Sequence, residues 1–146
     1  MDANNSTKVT LILLEDDIDG PVQSKNFSWN GVAYKIPRPK LKECESLPNI
    51  NNSGVYLLLE RSKATGEEFV YIGQAGEREN DKGLLNRVLE HKKDMDDWIE
   101  AVMITKSDES LEANDISYFE YRFYEMAKEA GRFKLTNKKK PTSGMH

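Results

Sequence analysis

Two short apolar runs joined by a polar loop constrain the fold of this chain more than any other feature. The runs cover residues 54–60 and 68–72, and Gly66 lies in the loop between them. Runs of aliphatic and aromatic residues of this length, separated by a glycine-containing loop, predict a β-hairpin.

Each strand of the predicted hairpin carries a tyrosine and a glycine two positions apart. The two triplets are Gly54-Val55-Tyr56 and Tyr71-Ile72-Gly73. A tyrosine packs its ring and presents its hydroxyl, while a glycine leaves room for a neighbouring backbone or a ligand. Ordinary sheet packing is the alternative interpretation, because tyrosines are common in strands.

The rest of the chain adds helices and further strands to the hairpin. Hydrophobic periodicity predicts a helix over 83–94, a strand over 98–105 and a helix over 113–130. Before the hairpin, residues 9–14 and 27–36 predict two strands that pair with each other, and a short helix is expected around 40–46. We therefore expect an α/β fold of the α+β kind, with a small, mainly antiparallel three-stranded sheet flanked by helices.

The polar segment 49–53 is the predicted boundary between two parts of the chain. Residues 1–52 are expected to form an N-terminal β-rich extension that packs on the main domain. Residues 53–146 are expected to form that main domain.

Size and composition fit a small globular protein in a reducing compartment. With 146 residues and 38% hydrophobic content, the chain suffices for one domain. No apolar run approaches the roughly 20 residues of a membrane helix, so no membrane partner is expected. The first residues are polar and acidic, unlike a secretory signal, and the single cysteine, Cys44, excludes an internal disulfide. We expect a cytoplasmic protein.

The formal net charge of −4 argues against a protein that coats nucleic acid by bulk attraction. The distribution is uneven, because residues 128–140 contain six basic residues and one acid. This segment is either a solvated basic tail or a surface that contacts phosphate.

The last predicted helix places a carboxylate on its apolar side. Ile116, Phe119 and Phe123 form an apolar stripe at helical spacing, and Glu120 falls inside it. An ionised carboxylate that faces a core costs several kcal/mol unless a cation or strong donors compensate it. Glu120 is therefore paired with a cation such as an arginine, neutral, or a metal ligand.

The first predicted helix carries a basic pair at the margin of its apolar face. Arg87 and His91 are four residues apart, so they project the same way. A guanidinium beside an imidazole suits an anionic ligand such as phosphate, because arginine offers two parallel donors. The alternative is that Arg87 and His91 are surface residues without a binding role.

Taken in order, these signals resemble the GIY-YIG endonuclease superfamily over residues 54–141. The matching positions are the two tyrosine triplets, Arg87, His91, Glu120 and Asn137, with Val55 in place of the usual isoleucine. The resemblance implies that Tyr56, Tyr71, Arg87, His91 and Glu120 are catalytic, and that Glu120 binds Mg²⁺ or Mn²⁺. It also implies substrate contacts by Gly73, Lys82, Asn137 and Lys138, although Lys82 as a solvated loop lysine and Asn137 as a loop cap are alternatives.

The resemblance implies metal-dependent hydrolysis of nucleic-acid phosphodiester bonds, with DNA as the expected substrate. Arg87 would stabilise charge on the phosphate, and Tyr56, with Tyr71 or His91, would orient or deprotonate water. A tyrosine base needs a nearby cation, because its ordinary pKa is about 10. An additional recognition domain C-terminal to this chain is expected to supply targeting.

Two alternatives to an enzyme stay open. One is a non-catalytic nucleic-acid-binding or interaction module that retains the fold. The other is a structural domain in which Glu120 simply pairs with Arg87.

Overall fold

The structure of the protein is a computed structural model that describes residues 9–14, 20–26, 31–76, 83–95, 97–107, 113–130 and 134–135. Its elements are, in chain order, β1 (Val9–Leu13), β2 (Val22–Asn26), β3 (Gly31–Pro37), β4 (Gly54–Arg61), β5 (Glu68–Ala75), α1 (Leu84–Asp94), β6 (Trp98–Lys106), α2 (Ala113–Ala130) and β7 (Lys134–Leu135). Two short 3-10 turns, Arg38–Lys40 and Lys42–Cys44, follow β3 where a short helix was expected around 40–46.

The strands of the described residues form one sheet with the order β1-β2-β3-β6-β4-β5-β7. The β5–β7 pair is parallel, and the other neighbouring pairs are antiparallel. The mixed α+β class is therefore confirmed, whereas the predicted three-stranded sheet is wrong. The sheet is larger because β3 pairs with β6 from Gly31↔Lys106 to Pro37↔Glu100, which joins the N-terminal strands to the hairpin.

The N-terminal strands differ from the prediction in their pairing. The strand expected over 9–14 is present as β1, but its partner is β2, and β3 pairs with β2 and β6. The sequence of β2 gives a weak strand signal because it contains Gln23, Ser24 and Lys25. Part of the strand expected over 27–36, residues 27–30, lies outside the described residues. The boundary after residue 52 stays a prediction.

The β4–β5 hairpin has two faces with different neighbours. Because side chains alternate along a strand, Tyr56 and Leu58 point to one face, and Val55 and Leu57 point to the other. The first face packs against α1 and is called here the α1 face. The second face packs against α2 and is called the α2 face.

The core on the α1 face is the larger of the two. Leu84, Leu85 and Val88 of α1 are buried against Tyr56 and Leu58. The other buried members of this core are Val32, Tyr34, Ile36, Leu41, Cys44, Ile50, Ala75, Trp98, Ala101 and Met103. Strand β3 and the segment after it therefore complete the core on which α1 lies.

The core on the α2 face is smaller and almost entirely aliphatic and aromatic. Ile116 of α2 is buried with Val55, Val70 and Ile72 of the hairpin. Partly buried side chains surround this group: Leu57, Leu59, Phe119, Phe123, Tyr124 and Leu135. The apolar stripe predicted for the last helix therefore packs on β4 and β5.

Arg38 ties the N-terminal part of the chain to the end of α1. Its guanidinium donates hydrogen bonds to the carbonyl oxygens of Lys92 (2.7 Å), Met95 (3.0 Å) and Trp98 (3.1 Å). It also lies 4.5 Å from the centroid of the Trp98 ring. Because the last carbonyls of a helix lack partners within the helix, Arg38 satisfies groups that would otherwise need water.

The start of α1 depends on a close backbone approach. Gly83 has a φ of 92°, and a Cβ atom at this position would overlap the carbonyl oxygen of Asn51. The next amide, Leu84 N–H, donates to the carbonyl oxygen of Asn52 at 3.2 Å. The segment before β4 therefore fixes the beginning of the helix that carries Arg87 and His91.

Candidate functional site

The register of the hairpin explains the spacing of the two tyrosine triplets. Tyr56 lies directly opposite Gly73, and Tyr71 precedes Gly73 by two residues on β5. Residues that are directly opposite in an antiparallel pair, or two apart on one strand, share a face. Both phenols therefore lie on the α1 face, with ring centroids 6.3 Å apart and ring planes inclined by 28°.

Gly73 provides the space in which the Tyr56 phenol lies. A Cβ atom at this position would overlap the Tyr56 Oη and Cζ atoms. The phenol thus lies over the backbone of β5, and its hydroxyl extends across that strand. A substrate contact by Gly73 stays a prediction, but its place beneath the Tyr56 ring is defined by the structure.

His91 contacts both tyrosines from the last turn of α1. Its Nε2 atom is hydrogen-bonded to the Tyr56 hydroxyl at 2.7 Å. Its ring centroid lies 5.5 Å from that of Tyr56 and 5.4 Å from that of Tyr71. The three rings therefore form one cluster on the α1 face.

Arg87 lies one turn before His91 and is more exposed. One of its Nη atoms donates to a carboxylate oxygen of Glu90 at 2.9 Å, and both side chains are open to solvent. Charge and a side-chain hydrogen bond also link Arg87 to the Tyr56 hydroxyl. Burial lowers the pKa of Arg87, but Tyr56 and Glu90 outweigh this effect, so its pKa is above the ordinary value.

The environment of Tyr56 keeps its phenol protonated. Burial raises the pKa of this hydroxyl far above its ordinary value, and the nearby Tyr71 and Glu120 raise it further. Arg87 lowers the pKa but offsets only part of this increase. In the free protein Tyr56 is therefore a neutral hydrogen-bonding group, and a role as base requires a proton acceptor or an added cation.

Glu120 lies on the α2 face, half-buried against β5. Its Oε1 atom accepts a hydrogen bond from Gln74 Nε2 at 3.1 Å, and Ser117 Oγ donates to Gln74 Oε1 at 3.3 Å. Burial raises the pKa of Glu120, and the Gln74 hydrogen bond partly lowers it again. This position agrees with the helical spacing, which placed Glu120 within the apolar stripe.

The site straddles the outer part of β5. Gln74 lies opposite Val55, so the Gln74–Glu120 contact is on the α2 face, whereas Tyr56 is on the α1 face. In the described sheet, β7 pairs only with Phe69 and Val70, so no strand covers the following residues of β5 on that side. The charge of Glu120 nevertheless contributes to the raised pKa of Tyr56, so the two faces are linked electrostatically.

The alternative of a structural pair between Arg87 and Glu120 is not found among the described residues. The carboxylate partner of Arg87 is Glu90, and Glu120 accepts its hydrogen bond from the neutral Gln74. The Glu120 carboxylate is therefore half-buried without a cationic side chain bonded to it in the described part of the chain.

The donor set around Glu120 allows one kind of metal site. Among the described residues, no group of three or more His, Cys, Asp or Glu side chains converges to hold a metal ion. A single carboxylate fits Mg²⁺ or Mn²⁺ that retains most of its water, because Mg²⁺ prefers oxygen ligands and loses water reluctantly. It does not fit a cation enclosed by protein ligands.

Some predicted residues are not placed, and some site residues were not predicted. Lys82, Asn137 and Lys138 lie outside the described residues. Gln74, Ser117 and Glu90 were missed. The alternation of β5 gave a signal for Gln74, since a polar side chain at this position interrupts the apolar α2 face after Val70 and Ile72.

Comparisons with protein-family models, with curated proteins and with solved structures found no match for this chain. Within the described residues, neither helix has the length and apolar character required to span a membrane.

Proposed function

We propose that the protein is a metal-dependent endonuclease that hydrolyses phosphodiester bonds of nucleic acid, with DNA as its substrate. The observation that carries this proposal is a cluster of two tyrosines and a histidine beside a partly exposed arginine, together with a half-buried glutamate whose charge acts on one of the phenols. The residues are Tyr56, Tyr71, His91, Arg87 and Glu120. The resemblance to GIY-YIG nucleases supports the same function, since these are the positions that match.

Arg87 is the group suited to bind the scissile phosphate. Its side chain is 43% exposed, so a ligand reaches it from solvent. Its bonds to Glu90 and to the Tyr56 hydroxyl use only part of the guanidinium's five donors. Hydrogen bonds from this guanidinium would strengthen as charge develops on the phosphate oxygens during attack by water.

Tyr56 and His91 are suited to move a proton away from the attacking water. The Tyr56 hydroxyl is held at hydrogen-bond distance from His91 Nε2, and its raised pKa keeps it protonated. In the proposed mechanism, Tyr56 Oη accepts a proton from water while passing its own proton to His91 Nε2. The imidazole is thus the final acceptor, and the phenol never carries a full charge.

Glu120 is the proposed metal ligand. A cation bound there would supply positive charge to the phosphate and to the leaving oxygen. The protein's own contribution is to hold one carboxylate in a half-buried position next to Gln74. The overall charge of −4 implies weak non-specific affinity, which is why a separate recognition domain remains part of the proposal.

A cleavage assay with a matched carboxylate control tests the proposed function. Supercoiled plasmid, linear duplex, branched DNA and RNA are each incubated with Mn²⁺, with Mg²⁺ or with a chelator. We expect metal-dependent cleavage of DNA that Glu120→Ala lowers by about 100-fold or more. Glu43→Ala removes an exposed carboxylate of the turn Lys42–Cys44, whose partner is Lys40, and is expected to leave cleavage unchanged.

Three outcomes would contradict the proposal. They are cleavage that persists in chelator, cleavage that survives Glu120→Ala, and the absence of cleavage on all four substrates. Nucleic-acid binding without any turnover would instead support the non-catalytic binding module.

A further inference from the structure

Gln74 connects two side chains on successive turns of α2. It donates from Nε2 to Glu120 Oε1 and accepts at Oε1 from Ser117 Oγ. Ser117 and Glu120 are three residues apart, so both face the same way on the helix. One amide on β5 therefore bridges a hydroxyl and a carboxylate at the point where α2 crosses the strand.

The chemistry of the partners dictates the orientation of this amide. An ionised carboxylate only accepts hydrogen bonds, so the amide NH₂ group must face Glu120. The amide oxygen then faces Ser117, whose hydroxyl is able to donate to it. Both ends of the Gln74 side chain are fixed, which leaves its NH₂ group in one position relative to Glu120.

A neutral donor at this place has a property that a basic residue lacks. Lysine or arginine would hold the carboxylate but would also compete with a cation for its charge. The amide orients Glu120 without neutralising it. Its single hydrogen bond uses one of about four lone-pair positions of a carboxylate, so the others remain for a cation and its water.

We propose that Gln74, held in place by Ser117, is a positioning residue that orients the Glu120 carboxylate for binding of a divalent cation. This inference rests on the proposed function and extends it to residues outside the tyrosine, arginine and glutamate motif. Residues that hydrogen-bond to the ligands of a metal ion commonly contribute about 10- to 100-fold to the affinity of the protein for that ion.

The test measures Mn²⁺ affinity by calorimetry, together with melting temperature, in the full chain. Gln74→Met keeps the volume and removes both hydrogen bonds, and we expect it to weaken Mn²⁺ binding by about 10- to 100-fold. Ser117→Ala should weaken binding less, and it should add nothing in the Gln74→Met background, because Ser117 acts through Gln74. Gln74→Lys should weaken binding most, because it adds a charge that repels the cation.

Gln23→Met is the matched control. Gln23 also donates through its side-chain amide, to the Tyr34 hydroxyl at 2.9 Å, in the core of the α1 face. Its loss should lower the melting temperature and leave Mn²⁺ affinity at the parental value. A purely structural role for Gln74 would give the same result as this control.

Glu120→Gln separates failure of this inference from failure of the proposed function. If Mn²⁺ binds the parent but not Glu120→Gln, and Gln74→Met binds it as tightly as the parent, the positioning role of Gln74 is overturned and the nuclease proposal stands. If the parent binds no Mn²⁺, or Glu120→Gln binds it equally well, both proposals are wrong.

Discussion

The two faces of the β4–β5 hairpin carry different parts of the candidate site. On the α1 face, Tyr56 is almost fully buried and hydrogen-bonded to His91, in the larger core. On the α2 face, Glu120 is half-buried at the margin of an apolar core and is held by Gln74. The comparison shows that the aromatic–histidine cluster and the carboxylate are supported by separate cores on opposite faces of the hairpin.

Burial favours the neutral form of the titratable group on each face, but the two groups differ in which form is the ordinary one at neutral pH. It raises the pKa of both Tyr56 and Glu120, because it disfavours whichever form is charged. For Tyr56 the favoured neutral form is the ordinary state at neutral pH. For Glu120 the ionised form that the proposed metal binding requires is the form that burial disfavours, so this carboxylate lowers the stability of the fold when it is ionised.

A side chain at Gly73 should have the broadest effect, on both cleavage and stability, because it would occupy the space in which the Tyr56 phenol lies. Gly73→Val would force the Tyr56 phenol out of its position. We expect cleavage to fall by about 100-fold or more, since a displacement of about 1 Å has that effect on catalysis. Overpacking should also lower the free energy of unfolding by about 1–3 kcal/mol, measured in urea.

Gly76→Val is a suitable control for Gly73→Val, because a Cβ atom at Gly76 has no neighbouring atom within 4 Å. It is expected to leave cleavage within a factor of a few of the parental rate. Parental activity in Gly73→Val would show that the position of the phenol does not matter.

Tyr56→Phe tests the α1 face alone. The change keeps the buried ring and removes the hydroxyl bonded to His91, so we expect cleavage to fall by about 10²- to 10⁴-fold. Tyr71→Phe should lower cleavage less, because the contact between Tyr71 and His91 is an edge-type ring contact that phenylalanine retains. Near-parental rates in Tyr56→Phe across the pH profile would exclude a proton-transfer role for this hydroxyl.

The raised pKa of Tyr56 also predicts the alkaline stability of the fold. A group whose pKa is higher in the folded state stabilises the protein below its unfolded pKa, here about 10, and this stability is lost as pH rises further. The decline in melting temperature above pH 10 should therefore be shallower in Tyr56→Phe than in the parent. An identical decline in both proteins would contradict the burial of this phenol.

Glu120→Gln tests the burial of the carboxylate on the α2 face. Its expected effect on stability is smaller than that of Gly73→Val. The raised pKa of Glu120 means that its favourable contribution is complete below its unfolded pKa and is lost as pH rises. The ionised group therefore lowers stability at pH 7, and Glu120→Gln should raise the melting temperature there by about 1–2 °C, a small change because the site is half-buried. At pH 3.5 the change should vanish.

Glu43→Gln is the control for Glu120→Gln, since Glu43 is exposed. It should show no rise at either pH. A lower melting temperature for Glu120→Gln at pH 7 would mean that the carboxylate is a stabilising structural group.

Glu90→Gln is expected to have the smallest effect of these substitutions, because it changes an exposed ion pair on the surface of α1. It releases the exposed guanidinium of Arg87, and exposed ion pairs contribute about 0.2–1 kcal/mol. Binding of duplex DNA, measured by fluorescence anisotropy with Ca²⁺ at fixed salt, should therefore tighten by about 2- to 5-fold. Glu43→Gln changes the net charge equally, and an equal gain in that variant would assign the effect to bulk charge.

The sequence by itself determined the elements whose signals are local. Strands β4 and β6, helices α1 and α2, and the same-side projection of Arg87 and His91 follow from spacing within short segments. The inward position of Glu120 follows from the same helical periodicity. These predictions succeeded because 2.0- and 3.6-residue periods assign each side chain to a face without knowledge of distant contacts.

The tertiary structure alone decided how distant segments meet. The pairing of β3 with β6, the register that sets Tyr56 opposite Gly73, and the hydrogen bond between Gln74 and Glu120 each join residues far apart in the chain. A periodic pattern states which face a residue occupies but not which residue lies across from it. That choice depends on the packing of both cores at once, because a shift of one residue would move every side chain of a strand to the opposite face.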